Sequence, residues 1–234
     1  MGMAAVSFFP FTGPHFLLSP YSLPKPPCSR TSASRDNKKF KKKNYSIMGF
    51  GDATRGMNNT DHWSFKPVDG SADLVQPSTV PYTTPGGKPQ LITLFRDRKA
   101  EHVYRAESHD DGQSWIQLKA LDLPNNNAGI EAFTLNSGNI VLVFNPQTKG
   151  RDPLAVALSS DGGSHWSHQT DIQHGQSLVG NNSTASRRLL GGNEFSYPTV
   201  LQTKDGNIHI MYTYLRQTIK YKRITEKWIQ KQRI

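Results

Sequence analysis

The sequence predicts an all-β fold built from a repeated four-stranded antiparallel module, and two observations carry that prediction. Two segments nearly repeat one another, Ser108-His109-Asp110-Asp111-Gly112-Gln113-Ser114-Trp115 and Ser159-Ser160-Asp161-Gly162-Gly163-Ser164-His165-Trp166, and both read Ser-x-Asp-x-Gly-x-x-Trp. Ser and Asp side chains bond the backbone of a tight turn, Gly supplies positive φ, and Trp anchors the turn in apolar surroundings. Each copy follows a strand-like run, His102 to Ala106 and Leu154 to Leu158. The unit therefore closes a hairpin, and its repetition marks a modular β protein.

The flanking elements recur in the same order. The first module runs through Gln76-Pro77-Ser78-Thr79-Val80 and Gln90 to Arg96 and ends at Trp115. The second runs through Ile130 to Leu135, a turn at Asn136-Ser137-Gly138-Asn139 and Ile140 to Phe144, and ends at Trp166. A third runs through Tyr197 to Leu201, a turn at Lys204-Asp205-Gly206-Asn207 and Ile208 to Tyr214. It ends in Tyr221 to Trp228, read as a box worn down to its Trp. The Trp spacings are 166 − 115 = 51 and 228 − 166 = 62, against about 45 to 50 residues for one four-stranded propeller blade. The longer interval holds a polar stretch from Gly175 to Gly192, read as a loop. The expected architecture is an incomplete β-propeller of about three blades, because closed rings use roughly four to eight. An open arc wets two terminal blade faces, so the expectation is either a truncated product or self-association of two arcs.

Charge narrows the partners. The chain carries a net +10, but residues 1–50 hold eight basic residues and one acid, +7, leaving +3 for the rest. The modules are nearly balanced and carry no nucleic-acid motif, so no nucleic-acid partner is expected. No apolar run reaches membrane-spanning length. Cys28, the only cysteine, lies outside the modules, and the eight His lack metal-ligand spacing. Neither a metal nor any other cofactor is expected.

Propeller connectivity sorts the loops between two rims. The boxes join third to fourth strands and mark one rim. The opposite rim carries the second-to-third loops and the connections between blades. Each second-to-third loop brings arginine: Arg96 and Arg98, then Arg151, then Arg216. Guanidinium forks match carboxylates and stay charged, which makes these residues candidates for holding an anionic ligand, with Gln76, Asn127 and Tyr214 beside them. Salt bridges to Asp97, Asp152 and Glu194 are the plainer use of the same arginines. Glu194 and Tyr197 add a second candidate element, since a phenol acts as a nucleophile when a carboxylate takes its proton; packing is the plainer role for a Tyr at a strand entry.

From Gln76 to Trp228 the chain resembles the C-terminal half of the sialidase-like family with Asp-box repeats, in its plant and bacterial form. The resemblance rests on Gln76-Pro77-Ser78, Phe95-Arg96-Asp97-Arg98, Leu123-Pro124-Asn125-Asn126-Asn127, both boxes, Glu194-Phe195-Ser196-Tyr197-Pro198, and Tyr212-Thr213-Tyr214 followed by Arg216. It implies a six-bladed fold, a carbohydrate ligand with an anionic, sialic-acid-like sugar as substrate, and glycoside hydrolysis. The boxes, Ser108, Asp110, Gly112 and Trp115 with Ser159, Asp161, Gly163 and Trp166, are implied to be structural. The chain departs from the family in lacking a Phe- or Tyr-Arg-Ile-Pro motif and the N-terminal half where the acid/base Asp would lie, which argues against activity of this chain alone. A non-catalytic sugar-binding or assembly scaffold is the alternative.

Residues 61–234 are thus assigned to the partial propeller and residues 1–60 to a disordered leader. Before Asp36 the leader has no acidic residue, and it is rich in Ser, Pro and Phe, a composition suited to a plastid transit peptide. A secretory signal and an arbitrary upstream extension are the competing readings, which would place the protein outside the cell or in the cytoplasm. A reporter fused to residues 1–45 should reach plastids; diffuse cytosolic signal would favour the arbitrary-extension reading.

Overall fold

The computed structural model describes residues 46–51, 63–175 and 193–232, in thirteen strands and one short helix. Strand β1 (Ser46–Gly51) pairs antiparallel with β2 (Trp63–Val68). The first module is β3 (Leu74–Thr83), β4 (Pro89–Asp97), β5 (His102–Ser108) and β6 (Ile116–Pro124). The second is β7 (Glu131–Thr134), β8 (Ile140–Phe144), β9 (Leu154–Ser159) and β10 (His168–Gln173). The third is β11 (Phe195–Gln202), β12 (Asn207–Tyr214) and β13 (Thr218–Thr225). Strands pair in chain order within each sheet, the meander of a propeller blade, and the first strands β3, β7 and β11 adjoin one another. These are the three expected blades.

Burial between blades explains the apolar runs. Every residue of β8 and β9 is buried, because the middle blade is covered on both faces. Ile140, Leu142 and Phe144 pack with Ile92 and Leu94 of the first blade. Val141 and Val143, pointing the other way, pack with Ile208, Ile210 and Tyr212 of the third. Each such side chain contributes about 1.5–3 kcal/mol.

Both boxes are hydrogen-bonded staples. Ser108 Oγ donates to Asp110 Oδ1 at 2.7 Å and accepts from Gly112 N at 2.8 Å, while Asp110 Oδ1 accepts from Ser114 N at 2.8 Å. The second box repeats this: Ser159 Oγ to Asp161 Oδ1 at 2.8 Å, Gly163 N to Ser159 Oγ at 2.9 Å, His165 N to Asp161 Oδ1 at 2.9 Å. Bonds from Ser114 and Ser108 hold the Asp110 carboxyl down at about 2. The second box also receives the first blade. Buried Arg105 donates Nε to Gly162 O at 2.8 Å and pairs with buried Glu107 at 2.8 Å. The ring of Tyr82 lies across Gly162, where an added Cβ would stand 2.7 Å from Cε1. Gly162, at φ +73°, must therefore be glycine for both turn and contact.

The third blade departs from expectation. Tyr221 to Trp228 is not a worn box: residues through Thr225 continue β13, and Glu226–Lys231 form helix α1 where the other blades have a fourth strand. The physical reason is local. Thr225 caps the helix by accepting Trp228 N at 3.2 Å, Glu226 and Lys231 suit its two ends, and no Gly offers a box turn. Ile229 drives the helix into the core.

The hairpin β1–β2 adds a feature upstream. Trp63 opens β2 and precedes Trp115 by 115 − 63 = 52 residues, one module period, so along the chain the pair falls at the position of the third and fourth strands of a preceding module. β1 falls within the 1–60 stretch read as a leader; the rest of that stretch lies outside the described residues. So does the Gly175 to Gly192 loop beyond Gly175, but its two ends are fixed. Asp152 accepts from Gly175 N at 2.9 Å and from Asn193 Nδ2 at 2.8 Å.

Arg105→Ala should destabilise the protein by about 3 kcal/mol, because it strands Glu107 in the interior. Asp161→Ala, which opens turn bonds half in solvent, should cost only about 1 kcal/mol. Denaturant unfolding of the two variants would reverse the assignment of staple and blade lock if Asp161→Ala proved the more damaging.

Candidate active site

The site lies on the rim opposite the boxes, and a bulge delivers its centre. In β11 the pairing slips between Ser196 and Thr199, and Tyr197 takes φ +49° ahead of Pro198. Proline has no N–H for the ladder, and the bulge re-aims the preceding side chain, leaving Tyr197 40% exposed. β3 uses the same device: it slips between Val75 and Ser78, with Gln76 at φ +50° before Pro77.

Glu194, just before β11, is 7% exposed and fully engaged. Oε1 accepts from Arg151 Nη1 at 2.7 Å and from Ser196 Oγ at 2.8 Å, and Oε2 accepts from Arg216 Nε. Burial alone would raise its pKa, but Ser196 and the two guanidiniums outweigh that and lower it. Arg151 continues the chain outward. Its Nη2 reaches Tyr197 Oη at 3.5 Å, and its Cζ stands 4.9 Å from the ring centroid. Burial would raise the Tyr197 phenol; Arg151 and Arg96 overcome it and hold the phenol below its usual 10. Arg96 Nη1 is itself fixed by Asn127 O at 2.8 Å.

Thus the expected residues Arg96, Arg151, Arg216, Glu194 and Tyr197 come together, and Asn127 joins through its main-chain carbonyl. Among the described residues Gln76, Arg98 and Tyr214 stand apart from this network. Arg98 is exposed in the β4–β5 turn, pinned through its N–H to Asp73 O at 2.9 Å. Tyr214 packs 5.3 Å from Phe195 and is covered by Lys220 Nζ at 4.5 Å from its ring. Two members escaped the sequence reading. Ser196 orients Glu194. Gly129 lies under Tyr197, where a Cβ would stand 2.7 Å from Cδ1 of the ring. Alternation along Glu194-Phe195-Ser196 could have found the serine, since it places Ser196 on the Glu194 side; no local signal marks Gly129, whose partner is on another blade.

Antiparallel blades stapled by Asp boxes, with arginines gathered around a rim tyrosine, define a β-propeller of the sialidase type, here about three blades of one. The chain belongs to the BNR repeat-like domain family, whose pattern matches residues 39–210, well over half its length. No curated protein matches it. Its fold is similar to the intramolecular trans-sialidase from Ruminococcus gnavus in complex with oseltamivir carboxylate (TM-score 0.53, 16% identity, 75% of this chain and 38% of that one). It is similar as well to the leech intramolecular trans-sialidase complexed with 2,7-anhydro-Neu5Ac (TM-score 0.53, 15% identity, 74% and 27%). The NanB sialidase from Streptococcus pneumoniae gives TM-score 0.55 at 12% identity, covering 72% and 26%. The chain thus spans between about a quarter and two fifths of these proteins' length.

One further carboxyl lies near the site. At β7 and just before it, Ile130 and Ala132 face the first blade, whereas Gly129 faces Tyr197 and Phe133 packs with the third blade. Glu131, between them, therefore points into the seam with β11. Burial pushes its carboxyl from 4.5 to about 7. A raised acid favours the protonated folded form, so its contribution is fully present below about 4.5 and is lost as pH rises to about 7. Glu131→Gln should therefore gain roughly 2–3 kcal/mol over wild type between pH 4.5 and 7. A pH-independent difference between the two in denaturant unfolding would exclude a desolvated Glu131.

Proposed function

We propose that this rim is the carboxylate-holding and nucleophilic part of a sialidase-like glycosidase site. The observation that carries the reading is Arg151 at the Tyr197 phenol, with Nη2 3.5 Å from Oη and Cζ 4.9 Å from the ring centroid, together with the influence of Arg96, which lowers the phenol's pKa further. Two cations favour the phenolate, and the same cations suit the carboxylate of an acidic sugar. In this reading Arg151 and Arg96 hold the sugar's carboxylate, and Tyr197, having released its phenolic proton to solvent, attacks the anomeric carbon through Oη as the glycosidic C–O bond breaks. The leaving oxygen takes its proton from a group beyond these three blades. Glu194 is a poor base, since both oxygens already accept hydrogen bonds; it holds Arg151 and Arg216 in place. The ligand named in the R. gnavus trans-sialidase structure, oseltamivir carboxylate, is an anion of the kind expected.

A sugar-binding scaffold without turnover is supported by one observation, the engagement of both Arg151 and Arg216 with the single carboxylate of Glu194. Calorimetric titration with a sialic acid and with its methyl ester addresses both readings. The acid should bind and the ester should not, and Arg151→Lys should weaken the acid by about 1–3 kcal/mol as the planar fork is lost. Equal binding of acid and ester would end the carboxylate reading. In a version completed to six blades, Tyr197→Phe should keep binding and abolish cleavage of a fluorogenic sialoside; retained cleavage would remove Tyr197 as nucleophile.

A further inference from the structure

The turn that carries Arg216 is built against its own conformational preference. Leu215 and Arg216 both take left-handed backbone, φ +54° and +56°, and Gln217 N closes the turn on Tyr214 O at 3.0 Å. A turn with positive φ at both central residues favours Asn-Gly, and each ordinary side chain placed there is strained. Both strained residues are tied to Glu194: Leu215 N donates to its main-chain oxygen at 2.7 Å, and Arg216 Nε to its carboxylate. Arg216 is mostly exposed, with its side chain 67% accessible, whereas Glu194 is buried. Glu194 already has Arg151 as a counter-ion and Ser196 as a donor, so charge balance alone does not call for a second guanidinium on a strained turn.

The stereochemistry of the shared carboxylate supplies an explanation. Arginine prefers to meet a carboxylate with two parallel N–H bonds. Arg151 meets Glu194 through Nη1 and Oε1 alone, because Oε2 is occupied by Arg216, and its Nη2 is thereby left for Tyr197. We infer that Arg216 is a positioning residue for Tyr197: by occupying Oε2 of Glu194 it keeps Arg151 on one oxygen and its second amino group at the phenol. Without Arg216, Glu194 accepts both arms of Arg151 and draws it off Tyr197. The inference builds on the reading of Tyr197 as the working group of the site, but it predicts a property of the free protein.

The test follows the Tyr197 phenol by ultraviolet difference titration of the full chain, with Tyr197→Phe subtracted to isolate it. In Arg216→Ala the titration should move up toward the ordinary tyrosine value of about 10, and Arg216→Lys, which keeps a cation on Oε2, should restore most of the wild-type position. An unmoved titration in Arg216→Ala, or equal shifts in both variants, overturns the inference. The paired change Leu215→Asn with Arg216→Gly, which relieves the turn while removing the guanidinium, should give the same upward titration; an unmoved titration there would also count against the inference. If wild type binds no acidic sugar, the functional reading fails while the titration still decides the role of Arg216.

Discussion

Everything in this fold hangs on the middle blade having no outside. With every residue of β8 and β9 buried, neither neighbour can leave without exposing a sheet face of Val, Leu, Ile and Phe. A strand in a single exposed sheet alternates apolar and polar residues, whereas these strands have no polar face to turn outward. The same double coverage sets the tolerance for side-chain shape. Contacts between blades are made at close range, by the Tyr82 ring on Gly162 near the box rim and the Tyr197 ring on Gly129 near the opposite rim. In both places a blade accepts its neighbour's aromatic ring by giving up its own side chain.

The site is a consequence of that arrangement. Arg96 comes from the first blade, Arg151 from the second, and Glu194, Tyr197 and Arg216 from the third. The polar ties that bring them together run alongside the apolar seams: Asn145 Nδ2 bonds both Pro153 O at 2.7 Å and Phe195 O at 2.9 Å, and Phe195 N bonds Arg151 O at 2.9 Å. The Arg151 guanidinium is thus held from its own backbone as well as from Glu194. Charge placed on such a frame loses little freedom when a ligand arrives.

The sequence made the modules legible because their signals are local. A box is closed by its own Ser, Asp and Gly, and the turns and apolar runs around it repeat at one period. The end of the third module was misread for the complementary reason: Trp228 kept the spacing, but its segment lacks the glycine a box needs and has a Thr cap, and the local chemistry prevailed over the period. At the site, connectivity alone placed the arginines on one rim. It could not choose between Arg96 and Arg98, since two positions along a strand share a face, and only the end of β4 at Asp97 separates the strand residue from the turn residue. Gly129 was beyond a reading along the chain, because its partner lies on another blade; salt bridges to Glu194 were legible, but not that Arg151 of the second blade and Arg216 of the third share it.

The fastening of Gly175 and Asn193 to the one carboxylate of Asp152 has an evolutionary side. Once two points of a chain are clamped together, the length of what runs between them becomes nearly free, since loop-closure cost grows only with the logarithm of length. Asp152 is thus a grafting port: sequence can be gained, lost or exchanged between those two residues without resetting the register of β10 or β11. The port is built on Asp152, the immediate chain neighbour of Arg151, so the same short segment that fastens the junction also carries an arginine of the site. Exchange of sequence at this one junction leaves the blades that build the site as they are.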